Sequence, residues 1–162
     1  MSRAAALAKT ARQRGLPVVL VNVAGSAPGR NELPRPSSAP PADWTELIPE
    51  LDPHETDIRI TKQRWNAFSN PDLDVALRAR GVNQVILAGI ATTMGVESTA
   101  RAAHERGYHV IVVTDAITDV DLDAHTNSVE RIFPKLGQRA STEELIALIE
   151  ERGRGGVTSN AS

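Results

Sequence analysis

The chain has 162 residues, 41% of them hydrophobic and 23% charged, with a formal net charge of −2, which suits one globular domain and excludes the basic footprint of a nucleic-acid binder. It contains no cysteine, so disulfides, thiolate metal sites and a cysteine nucleophile are excluded. No apolar stretch approaches the roughly 20 residues that cross a bilayer, and residues 1–16 lack the apolar centre of a secretory signal; the expectation is a cytoplasmic protein with no membrane partner.

Ala4, Leu7, Ala8 and Ala11 share one helical face and Gly15 follows where a C-terminal glycine belongs, so residues 1–16 are predicted helical. Residues 18–23 form a β-branched run of the kind that is covered on both faces of a sheet. Residues 25–56 contain Pro28, Pro34, Pro36, Pro40, Pro41, Pro49 and Pro53, which leave little room for a helix or a central strand. This long loop either covers a site, with Trp44, Leu47 and Ile48 as anchors, or is a tolerated insertion.

A short strand is expected at 57–61, and Asn70-Pro71-Asp72 is a strong helix start, closed at Gly81. Strands follow at 84–88 and 109–114, with a helix over 94–106 between them. Residues 121–133 read as a helix limited by Pro134, and 138–140 as a short edge strand. Ser141-Thr142-Glu143-Glu144 resembles a capped start for a last helix carrying Leu145, Ile146, Leu148 and Ile149. Strands alternating with helices imply right-handed βαβ units. The fold class is therefore α/β: a three-layer α-β-α domain over residues 1–150 with a mostly parallel, doubly wound sheet, and a flexible tail over 151–162.

In such sheets ligands bind beyond the carboxyl ends of the strands. Three strand ends are informative: Lys62-x-Arg64-x-x-Ala67-Phe68; Gly89-x-x-Thr92-x-x-Gly95-Val96-x-x-Thr99; and Thr114-Asp115-Ala116. In this order and spacing they resemble the isochorismatase-like hydrolases, from the first helix to about Ile149. That resemblance implies a catalytic set of aspartate, lysine and, in most members, cysteine. Lys62 matches the lysine; without the resemblance it reads more readily as a lysine snorkelling from a strand end to solvent. Gly95 stands at the position of the nucleophilic cysteine in amide-hydrolysing members. Enol-ether-cleaving members can also place glycine there, and their reaction is an acid-catalysed hydration without a covalent intermediate. The resemblance further implies a cis peptide at Ile90–Ala91.

Arg64, Trp65, Phe68, Ile90, Ala91, Thr92 and Met94 are the expected substrate-binding set, with Arg64 pairing a carboxylate; ordinary packing is the alternative for Trp65 and Phe68. Asp115 is expected to cap a segment or bond a turn, less readily to take part in catalysis. His54, His104, His109 and His125 have no metal-ligand spacing, and neither a metal nor a cofactor is expected. The family also begins with a strand, ending in the catalytic aspartate, ahead of the helix that residues 1–16 match. That strand would be central, between those at 18–23 and 84–88. Three explanations stand: a longer protein, a sheet completed otherwise or by a partner, or a paralogue that binds without catalysis. The expected partners are a small-molecule substrate and a second copy in a homodimer or larger homo-oligomer.

Overall fold

The computed structural model describes residues 1–32 and 40–155. Helix α1 (Ser2–Gln13) leads into strand β1 (Val19–Val23), and after the long loop come β2 (Ile58–Lys62) and α2 (Pro71–Ala79). Strand β3 (Gln84–Ile90), α3 (Glu97–Glu105), β4 (His109–Thr118), α4 (Leu122–Asn127), α5 (Phe133–Leu136), β5 (Gln138–Ala140) and α6 (Thr142–Gly155) complete the order. Every strand pairing is parallel. None of the helices in the described residues is long and apolar enough to cross a membrane.

Strand β4 shows why the layers form. Its residues alternate between the two faces of the sheet. Val110 and Val112 join a core with Leu73 and Leu77 of α2, Ala100 and Ala103 of α3, and Phe133 of α5. Ile111 and Val113 join a second core with Leu7 of α1 and Leu145 of α6. Helices α2, α3 and α5 therefore cover one face, and α1 and α6 the other.

The starts of two helices form as their sequences dictate. The Asn70 side chain accepts from the Asp72 amide at 3.0 Å with Pro71 in the first turn. Ser141 and Glu144 bond reciprocally, the Ser141 amide donating to the Glu144 carboxylate at 2.7 Å and the Glu144 amide donating to Ser141 Oγ at 3.2 Å.

Several expectations need correction. Strand β4 runs on to Thr118 because its register against β3 shifts between Leu87 and Gly89, where Gly89 takes a φ of +133° that side chains rarely adopt. The helical stretch after Asp121 passes Pro134 and reaches Leu136, through a π-helical turn at Ser128–Ile132 that leaves Pro134 in the first turn of α5. Of the expected loop anchors, Trp44 is exposed and Leu47 and Ile48 are half-buried. The loop is also tied by Asn22 Nδ2 donating to the Thr45 carbonyl and Arg12 Nη2 to the Leu51 carbonyl. Helix α6 extends to Gly155, into the expected tail, and residues 156–162 lie outside the described residues, as do 33–39 of the loop.

The strands form two groups, β2-β1 and β3-β4-β5. Among the described residues β1 and β3 do not pair, and Val21, Val23 and Ile86 on these two strands stay exposed. The division falls where the resemblance puts a further strand. The two groups are tied across it by helix α1, which salt-bridges Asp115 through Arg3 and Asp57 through Arg12, and on the other face by the core that Ile60 shares with Val110 and Val112. Gly137 fixes the far corner: a Cβ there would sit 2.1 Å from the Val110 carbonyl oxygen, so only glycine lets the chain pass so close to β4.

The Arg12–Asp57 pair is buried and bidentate, at 2.9 and 2.8 Å. Burial pushes the Asp57 carboxyl up, but the Arg12 hydrogen bonds, the His54 amide and the Arg12 charge outweigh it and hold the group below its ordinary value. A lowered folded value means that stability is present above the ordinary aspartate pKa of about 3.9 and is lost as pH falls through the folded value. Arg12→Ala should cost about 3–5 kcal/mol near neutral pH, because it strands a buried carboxylate. In urea titrations at stepped pH, the gap between wild type and Arg12→Ala should close below about pH 4.

Candidate functional site

Lys62, the last residue of β2, is only 8% exposed. Its Nζ donates to the backbone carbonyl of Trp65, which the turn after β2 brings back over the strand end. Among the described residues no carboxylate pairs with this ammonium. Burial alone moves its pKa, and moves it down, toward the neutral amine.

Facing it is the segment after β3. The Ile90–Ala91 bond is cis, as the resemblance implies, and residues Thr92–Val96 make a π-helical turn that runs directly into α3. Gly95 lies in this turn. A Cβ on Gly95 would stand 3.4 Å from the Ile90 carbonyl oxygen, 3.5 Å from Lys62 Nζ and 3.9 Å from the Trp65 carbonyl oxygen. The ends of β2 and β3, which belong to the two strand groups, therefore meet at one small space beside an amine.

Hydrogen bonds from three directions hold this turn. The Thr99 hydroxyl accepts from the Ala67 amide at 3.0 Å and donates to the Gly95 carbonyl at 2.7 Å, clamping the Lys62 side to the Gly95 side. The Asp119 carboxylate accepts from both the amide and the hydroxyl of Thr93, at 2.7 and 2.6 Å. Those bonds, the hydroxyl's first, keep Asp119 below the usual carboxylate range. Thr92 Oγ1 lies 2.8 Å from His125 Nδ1.

The expected site residues divide. Lys62 and Gly95 come together. Trp65 contributes its carbonyl to Lys62, while its side chain is 57% exposed. Arg64 is exposed and forms no ion pair among the described residues. Ile90 contributes its carbonyl, its side chain being 66% exposed, and Ala91 and Met94 are half-buried and exposed. Phe68 is not a pocket wall: it packs in the core, 5.6 Å from the Tyr108 ring centroid. Thr92 is fully buried, so its hydroxyl holds the turn and does not line a pocket. Asp115 serves helix α6, accepting from the Thr142 amide and hydroxyl at 2.8 and 2.9 Å. Sequence reasoning missed Asp119 and His125, whose only signal was their place beyond the end of β4. No three His, Asp or Glu side chains gather as a metal site among the described residues. A concavity of about 520 Å³ opens at the opposite end of the sheet, lined by Gln84, His104, His109 and Lys135 among others, and contains none of these residues.

Residues 1–144 match the isochorismatase domain. The chain is 38% identical over 152 residues to the uncharacterized isochorismatase family protein YecD of Escherichia coli O157:H7, covering 90% of this chain and 81% of YecD. It is 43% identical over 110 residues to the uncharacterized isochorismatase family protein YwoC of Bacillus subtilis, covering 68% of this chain but 58% of YwoC. Among solved structures it is similar to an isochorismatase family protein from Burkholderia thailandensis, with a TM-score of 0.86 and 39% identity over 92% of this chain and 82% of the other.

Gly95→Cys should fold, because the new Cβ meets only ordinary van der Waals neighbours. Its thiol would lie beside the Lys62 amine and be the only thiol in the chain. Its alkylation by iodoacetamide as a function of pH should give a midpoint below the free-cysteine value of about 8.5, and Gly95→Cys/Lys62→Met should restore that value.

Proposed function

The chain belongs to the isochorismatase family, and from that premise we propose that it is a hydrolase of a small carboxylated metabolite that works without a covalent enzyme intermediate. One observation carries this reading: a buried lysine amine faces a position that has no side chain, in a chain that has no cysteine. Glycine at 95 stands where amide-hydrolysing relatives would carry their nucleophile, so acyl transfer to the protein has no acceptor there.

An enol ether suits this site. The Lys62 ammonium donates a proton to the terminal carbon of the double bond. Water adds to the resulting oxocarbenium carbon and gives up a proton to the Lys62 amine, and the hemiketal splits into an oxo acid and an alcohol. An ammonium whose pKa is lowered by burial is a better donor than a solvated lysine, and positioned acid catalysis contributes about 10²–10⁴-fold. Arg64 would pair the substrate carboxylate, and the exposed side chains of Trp65, Ile90 and Met94 would supply an apolar rim. The reaction as drawn uses no metal or cofactor. A homodimer or larger assembly in the cytoplasm completes the proposal; pairing would cover exposed Val120 and Leu122 near the site.

A second reading has its own support. Among the described residues no carboxylate accompanies Lys62, as would suit a protein that holds an anion without turning it over.

Initial rates on a carboxyvinyl ether and on ureido or carbamoyl amides distinguish the two readings. The hydrolase reading expects turnover of the ether, a loss of about 10²–10⁴-fold in Lys62→Ala, and no acyl adduct in the intact mass with any amide. Saturable binding without turnover supports the second reading, and a stable acyl adduct overturns the non-covalent mechanism. Light scattering at micromolar concentration should give at least twice the mass of one chain.

A further inference from the structure

We propose that Lys62 is a covalent capture site for small α-oxo acids, its Nζ condensing with the ligand carbonyl in the space beside Gly95. The chain has three lysines, and two of them, Lys9 and Lys135, stand in solvent. Lys62 alone is buried. Its amine donates to the Trp65 carbonyl and has no carboxylate partner among the described residues. Gly95 sets no side chain against the amine: a Cβ there would stand 3.5 Å from Nζ, so a ligand can approach Nζ from that side.

Desolvation favours the neutral, nucleophilic form of such an amine, the standard route to a Schiff-base lysine. The ammonium first releases a proton to solvent, and the Nζ lone pair then attacks the carbonyl carbon. The carbinolamine takes up a proton from solvent and loses water, leaving a protonated imine. That imine keeps one N–H, which can go on donating to the Trp65 carbonyl. An α-oxo acid fits better than a simple aldehyde because its carboxylate brings the negative charge that no described side chain places beside Lys62. The capture needs no turnover, so it stands or falls separately from the hydrolytic reading.

Glyoxylate with cyanoborohydride is the probe, since the reductant converts the imine into a stable secondary amine. The whole chain is treated near neutral pH, digested and read by mass spectrometry, with Lys9 and Lys135 as internal references. Lys62 should be modified several-fold faster than either reference. Gly95→Val, checked by circular dichroism, should bring Lys62 down to the reference rate or below while leaving Lys9 and Lys135 unchanged. Modification of wild-type Lys62 no faster than Lys9 would overturn the proposal, whether or not the Gly95→Val protein folds. So would fast Lys62 modification that survives a folded Gly95→Val protein, because the space beside Gly95 would then not be the binding place.

Discussion

Strand β4 has to be hidden from water on both sides at once, and the rest of the molecule is arranged around that requirement. Val110 and Val112 need one layer of helices and Ile111 and Val113 need another. Neither layer is rich in aromatics, which make up 3% of the chain, so close approach replaces bulk. Ala100 and Ala103 of α3 are completely buried, and the chain at Gly137 passes against the β4 backbone. Such packing leaves little slack. It also fixes where β4 and β3 end, and with them the turn that carries Gly95.

The site itself depends on polar contacts. Lys62 stays buried because a carbonyl accepts from it, and the Gly95 turn stays in place because Thr99 donates to the Gly95 carbonyl, Asp119 accepts from Thr93 and His125 bonds the Thr92 hydroxyl. Buried polar groups left without partners would cost about 1–3 kcal/mol each. Pre-formed partners of this kind hold an amine and a turn in one geometry before any ligand arrives.

Much of this was legible in the sequence, and the limits have physical causes. Continuous β-branched runs marked the strands at 18–23 and 109–114, and Asn70-Pro71 and Ser141-Glu144 marked helix starts, because those signals are local. The family resemblance brought Lys62 and Gly95 into one argument. Pocket wall and core packing stayed open for Phe68, because an aromatic residue near a site and one in a core look the same until a partner such as Tyr108 is known. Asp119 and His125 were invisible as site residues because their partners, Thr93 and Thr92, lie 26 and 33 residues away and no periodicity links them. The bonding of Asp115 to Thr142, across 27 residues, was hidden in the same way.

Lys62 ends a strand of one group and Gly95 follows a strand of the other, so among the described residues no ladder of backbone hydrogen bonds spans the distance between them. That distance is kept by side chains and loops: Thr99 reaching the Ala67 amide on the inside, and Arg3 and Arg12 of α1 strapping the outer face. The width of the cleft is thus a soft coordinate in an otherwise close-packed body. Small shifts in how the two halves lean on each other would change what can fit beside the amine before they changed any element of the fold.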